Sequence, residues 1–327
     1  MAAINLPFAA SATKRAPTTA ELADGYGCGP ADLELFDFMG WWTTGQIDKA
    51  IEDSGQTTDD ADLTQLSKAI QAFAAGGQCQ LRYVSATAIT LFPKGGNLVK
   101  VAGKAVALPG AGVTAANTSV LINGSSGTLA NTTTYLVALN ASGALEFWTL
   151  ATGHGPDTTA GNVGVEVITG HADKTLVGMI HTNGSGQFAD SATTRQVISW
   201  FNRREIAGVG VATPGSTTAS VAVFVELSTS SRILFICWGD EATKMKVIGQ
   251  ASNSLGTFST GAAVGLDGAY AGQNGSSYAA SAGQSSYTGG DHDAILTEGF
   301  HYLTPVGAVG AGGTGTFAVT AFVNLRG

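Results

Sequence analysis

TTYLVALNASGALEFWTL, residues 133–150, is the stretch whose reading decides the fold class. Two runs of apolar, β-branched and aromatic residues, Tyr135 to Leu139 and Leu145 to Leu150, flank the short polar segment Asn140 to Gly143. A polar, glycine-containing loop of that length between two such runs predicts an antiparallel hairpin. The same pattern continues on both sides. TAITLF (87–92), LVKVAG (98–103) and KAVAL (104–108) precede the hairpin and KTLVGMI (174–180) follows it, all read as strands separated by Gly, Asn and Ser. A β-sandwich over residues 81–205 is the economical arrangement for these runs. RQVISWFNRRE (195–205) closes it, with Val197, Ile198, Trp200 and Phe201 packed and Arg203 and Arg204 at the edge.

Beyond GVGVATPGSTT (208–218), a Gly/Thr/Pro-rich boundary, SVAVFVEL (220–227), RILFICW (232–238), KMKVIGQA (244–251) and GTFAVTAFVNL (315–325) predict a second β-sandwich-like domain over 206–327. Upstream of the β region the periodicity changes to helical. Pro30 opens ADLELFDFMGWW, with early acidic residues suited to a helix N-terminus and Leu33, Phe36 and Phe38 as apolar contacts. A second short helix is expected from Gly45 to Asp53. A third follows TTDDAD, capped by Asp59 or Asp60, with Leu63, Leu66, Ile70 and Phe73 forming a stripe that faces either helix 1 of its own chain or the same helix in two neighbours about a threefold axis. The expected fold is therefore mainly β, with a helical module at 1–80 ahead of two sandwich-like domains.

Composition supports that class and excludes others. Charged residues make up only 12% of the 327, while 44% hydrophobic residues supply enough apolar surface to exclude a disordered chain. The net charge of −8 is concentrated up to Gln80, where eleven acidic residues face four basic ones. An acidic module suits either a protein partner or simply a solvated face, and argues against nucleic acid, whose phosphates need basic patches. No stretch reaches the roughly 18 apolar residues of a membrane helix, so no membrane insertion is expected. Asn5 and Pro7 interrupt the first apolar run, and Lys14 and Arg15 follow it, so no signal peptide is expected and assembly in a cytoplasm follows. The six Asn-x-Ser/Thr triplets beginning at Asn117, Asn123, Asn131, Asn140, Asn183 and Asn274 are accordingly read as turn chemistry.

Two segments carry a resemblance. PTTAELADGYGCGPADLELFDFMGWWTTGQIDKAIEDSGQTTDDADLTQLSKAIQ (17–71) resembles the N-terminal module of bacteriophage tail-fibre-like proteins, and KTLVGMIHTNGSGQFADSATTRQVISWFNRR (174–204) resembles a shaft or shoulder segment of similar proteins. The resemblance implies a homotrimer attached to other virion proteins by its N-terminus, presenting its C-terminal domain to a glycan or protein on the host surface. It also implies a location in the virion, after assembly in the host bacterial cytoplasm. The absence of an extended shaft repeat departs from long fibres and suits a short fibre, or a purely architectural neck, collar, baseplate or head-fibre component.

No catalytic motif is present: HExxH, CxxC, phosphate-loop and GxSxG patterns are all missing, so no catalytic residue, no metal and no cofactor is expected. A polysaccharide-degrading tail spike is the less favoured enzyme reading. Asp291, His292 and Asp293 are the one local group with metal-ligating chemistry, but adjacent strand residues point apart. Within GAYAGQNGSSYAASAGQSSYTGG (268–290), Tyr270, Tyr278 and Tyr287 recur in a small-residue background that matches adaptable paratopes; with His292 they form the candidate receptor-contact loop. Packing within the domain or between chains is the alternative for these tyrosines. Cys237 reads as a buried hydrophobe, while Cys28 and Cys79, flanking the helical module, are candidates for an intermolecular disulfide or for simple burial.

Overall fold

The computed structural model describes residues 30–54, 56–59, 62, 64–74, 77–159, 161–213, 216–218, 223–278, 280–310 and 313–326. The chain divides into two compact units, residues 1–74 and 75–327.

In the first unit, α1 (Pro30–Asp53) is followed across a short connection by α2 (Gln65–Ala74). The two helices expected over 30–53 are one helix of 24 residues. Gly40 and Gly45 lower helix propensity without ending the helix. The turn is organised by Gln65, whose side chain accepts from the Asp59 N–H (2.9 Å) and donates to the Thr57 carbonyl (2.6 Å). Directly before α2 the Asp62 carboxylate accepts from the Thr64 N–H at 2.9 Å, while Asp60, one of the two expected caps, lies outside the described residues. Among the described residues of this unit, Ile51, Gln65 and Ala69 are buried, with Ser54 at the helix end. Leu66 and Ile70 of the predicted stripe are exposed, Ile70 by 61%, so within one chain these two do not cover α1. Leu63 and the Phe73 side chain lie outside the described residues.

The second unit is mainly β. Its first part holds β1 (Cys79–Ser85), β2 (Ala88–Pro93), β3 (Leu98–Val101), β4 (Lys104–Ala107), β5 (Val113–Ala116), β6 (Val120–Ile122), β7 (Ser125–Gly127), β8 (Thr134–Asn140) and β9 (Leu145–Thr149). There follow β10 (His154–Pro156), β11 (Glu166–Ile168), β12 (His171–His181), β13 (Asp190–Ser191), β14 (Thr194–Arg195), β15 (Val197–Ser199) and β16 (Glu205–Val209). The remainder is β17 (Ser216–Thr218), β18 (Val225–Glu226), β19 (Ile233–Cys237), β20 (Ala242–Asn253), β21 (Ser259–Leu266), β22 (Ala269–Tyr278), β23 (Ser285–Ile295), β24 (Gly299–Val309) and β25 (Gly315–Arg326). β1-β2-β5 and β3-β4 form small sheets; a larger one runs β10-β11-β12-β8-β9-β6-β7, with β15 also on β12. The C-terminal sheet runs β13-β14-β19-β24-β21-β22-β23-β20-β25-β16, with β17 on β25 and β18 on β24.

The predicted hairpin is β8–β9, paired antiparallel from Tyr135 opposite Thr149 to Leu139 opposite Leu145. Asn140 makes the turn: its side-chain oxygen accepts from Ser142 N, Ser142 Oγ and Ala144 N at 3.0, 2.7 and 2.9 Å. Gly143 supplies the positive φ of +80° that a Cβ would strain. Asn183 caps a second turn in the same way, accepting from Ser185 N and Gln187 N. One other triplet departs from turn chemistry, since Asn274 lies within β22, whereas Asn117 stands in the bend after β5 with its side-chain amide donating to the Gly186 carbonyl at 3.1 Å.

Three cores result. One, under β1–β9, gathers Leu81, Ile89, Leu91, Val137, Phe147 and Val177. Another lies inside the C-terminal sheet around Phe235, Val247, Val264, Leu303 and Phe317. The third joins the two, packing Leu136, Trp148 and Met179 against Ile236 and Trp238. The boundary expected at 205/206 falls inside β16, after its first residue, and β14 on its N-terminal side pairs in parallel with β19 beyond it.

Candidate functional site

β20 alternates strictly at its start: Met245 and Val247 enter the core while Lys244, Lys246 and Ile248 face outward. β23 is in unbroken register with it, setting Asp293 opposite Lys244, Asp291 opposite Lys246, Gly289 opposite Ile248 and Tyr287 opposite Gln250. On its other side β25 places Asn324 beside Lys244 and Phe322 beside Lys246. Both neighbours are therefore hydrogen-bonded to β20, and this is the face of a sheet, not an edge.

β22 meets β23 in the ladder only where Gly275 opposes Gly289. A Cβ at Gly275 would lie 2.9 Å from the Gly289 carbonyl oxygen, so the absence of side chains permits this crossing. Above it lies an open depression of about 490 Å³ bordered by Lys246, Ile248, Gln273, Asn274, Tyr287 and Asp291. A second depression, about 400 Å³, is bordered by Lys244, Lys246, Asp291, Asp293, Phe322 and Asn324. Lys246 and Asp291 belong to both, so the two form one trough along β20.

The predicted contact loop is instead two paired strands, β22 and β23, whose small polar residues are held in the sheet by β21 on one side and β20 on the other. The structure separates its candidate residues. Tyr287 borders the trough and is 83% exposed. Tyr278, 72% exposed, sits at the turn end of the same hairpin, where Ser277 and Ser286 are bonded at 2.8 Å. Tyr270 is at the far end of β22, stacked on Phe224 with ring centres 4.5 Å apart. His292 lies opposite Met245 and, five residues from Tyr287 in unbroken register, faces the other side of β23. The same alternation separates His292 from Asp291 and Asp293, and among the described residues no group of three or more His, Cys, Asp or Glu is arranged to hold a metal ion.

Sequence reasoning missed Lys246, Ile248, Gln273, Asn274 and Asp291 as one surface. The Lys-x-Lys-x-Ile alternation of 244–248 signals an outward stripe, but its partners come from strands more than 20 residues away.

A second charged cluster lies half-buried beside the third core. His154 stands between two carboxylates, with Nδ1 2.5 Å from Glu166 and Nε2 3.1 Å from both oxygens of Glu298. Trp200 and Trp238 meet its ring edge-on at 5.2 and 5.8 Å. Arg203 lies 4.0 Å over Trp200 and bonds Glu241 and Asp240. Burial pulls the His154 pKa down, but the hydrogen bonds to Glu298 and Glu166 outweigh it and hold the imidazole above its ordinary 6.5. His154 and His171 are the first residues of β10 and β12. His181, by contrast, is stacked on Phe300 and pushed down to about 4 by burial.

Cys79 and Cys237 are buried and unpaired, and burial pushes both thiols up to about 12. Cys28, the other candidate for an intermolecular disulfide, lies outside the described residues. No helix among the described residues is long and apolar enough to cross a membrane.

No protein-family model matches the chain, and no curated protein matches it. Among solved structures, the chain is similar to one of infectious bursal disease virus, Gx strain, at a TM-score of 0.27 and 10% identity, over 77% of this chain and 68% of that one. A structure of T=1 particles derived from infectious bursal virus gives a TM-score of 0.27 and 11% identity, over 76% and 69%. At such scores the likeness carries no argument about fold or function.

Proposed function

We propose that the chain is a non-enzymatic structural protein of a bacteriophage particle, a short homotrimeric tail fibre that docks through its N-terminal helical unit to other virion proteins and attaches to the host surface through its C-terminal sheet. The observation that carries this reading is the trough along β20, an open, polar, aromatic-walled surface mounted on paired strands instead of on a loop. The helical unit supports it from the other end. Met39 and Trp42 stand exposed on α1, Met39 by 50%, as suits a helix that another chain covers. Three copies per fibre, and several fibres per particle, convert weak single-site contacts into durable attachment by raising effective concentration.

Light scattering of the purified chain tests the oligomer: a mass about three times the 33.0 kDa of one chain is expected, and Ile70→Asp is expected to lower it. A monomeric wild type overturns the trimer. Cryo-electron microscopy of intact particles tests the position. Projection from the tail with β22–β23 distal is the expected result; a collar or capsid position with the trough covered replaces attachment by architecture.

A further inference from the structure

We propose that the trough between β22, β23, β20 and β25 is a saccharide-binding site, with Tyr287 stacking on the apolar face of a pyranose ring. This rests on the host-attachment reading for its biological sense, and the chemistry selects the ligand class.

Charge comes first. The four ionic residues of the trough are Lys244, Lys246, Asp291 and Asp293, two of each sign and opposite one another in register. Their fields cancel at any distance beyond a few ångströms, so a polyanion such as nucleic acid or a phosphate-rich chain finds no net attraction. An apolar ligand is no better served, because the exposed apolar wall is limited to Ile248 and Tyr287, 43% and 83% exposed, with Phe322 half-buried. An extended peptide that adds a strand needs an unpaired edge, and β20 is bonded on both sides. What remains is a neutral, hydroxyl-rich ligand with one apolar face.

A pyranose matches that description group by group. Its axial C–H groups carry slight positive charge and fit the negative face of an exposed aromatic ring. Its vicinal hydroxyls both donate and accept. The Gln273 carboxamide, the Asp291 carboxylate and the Lys246 ammonium offer acceptors and donors around the same depression. The glycines beneath it, Gly275, Gly289 and Gly290, leave the floor open to a ring. Lys246 and Asp291 border the second depression also, where Asn324 and Asp293 repeat the donor and acceptor pattern. Two adjoining depressions suit a chain of at least two sugar units.

The full-length chain, labelled with a fluorophore, is tested on an array of neutral bacterial surface oligosaccharides and, in parallel, for adsorption to a panel of bacterial cells. Wild type is expected to bind a subset of the oligosaccharides. Tyr287→Ala, at a side chain with almost no packing to lose, is expected to lower that binding at least tenfold with an unchanged melting curve. Tyr270→Phe, at the stacked far end of β22, is expected to leave it unaltered. Wild type that binds no oligosaccharide, or binding indifferent to Tyr287→Ala, overturns the proposal. If cells are nonetheless adsorbed, host attachment stands while the saccharide site falls; if neither cells nor sugars are bound, both fall.

Discussion

Replacing His154 by glutamine removes a positive charge from between Glu166 and Glu298 while keeping similar volume and one hydrogen-bond donor. The three side chains are 14, 16 and 24% exposed, so solvent screens their interaction only in part. A hydrogen bond to a charged group contributes about 1.5–3 kcal/mol, and glutamine retains one neutral contact of the two, so the loss is about 2 kcal/mol where His154 is protonated. For a body of this size each kcal/mol shifts Tm by about 2–4 °C, giving a fall of roughly 4–8 °C near pH 6. The direction with pH follows from the raised pKa. A histidine held above its ordinary value stabilises fully below about 6.5 and loses that contribution as pH rises through the raised value. Calorimetry of wild type and His154→Gln near pH 6 and near pH 9 is the assay, with the gap in Tm expected to shrink at the higher pH. A gap that is constant, or wider at high pH, would refute the charged-imidazole account.

Gly249→Ala forces a Cβ against the Ala318 carbonyl and the Val319 backbone; a loss of about 1–3 kcal/mol is expected in urea unfolding, and a neutral result would show that β25 shifts freely. Trp238→Ala empties a fully buried site in the joining core; about 3–5 kcal/mol should be lost, and a cost under about 1 kcal/mol would mean the two cores are not coupled there. Cys79 and Cys237 should resist alkylation by iodoacetamide in the folded chain and react once it is unfolded, as read by mass spectrometry; rapid labelling of either in the native state contradicts its burial.

The elements legible in the sequence are those whose signal is local. Tyr135 to Leu150 carries its own strands and its own turn, and β12, β19, β20 and β25 are β-branched or aromatic runs of the kind that pack on a pleated surface. β22 and β23 were illegible because Gly, Ser, Ala and Asn have little intrinsic preference for a strand. Their conformation is imposed by ladders to β21 and β20, a non-local cause. Gly40 and Gly45 misled in the opposite sense, reading as a break inside α1. The trough and the His154 cluster share one obstacle. Glu298 is 144 residues from His154, and no spacing rule reaches that far.

The position of β25 has a consequence in time. It lies between β20 and β16 and also receives β17, so three strands made earlier await one spanning 315–326. While the ribosome is still short of that point, β16, β17 and one edge of β20 have no lawful partner, and each is a template for pairing with a neighbouring nascent chain. Closure of the C-terminal sheet is thereby deferred until after residue 326 has been made, and the population most exposed to aggregation is the set of prematurely terminated chains.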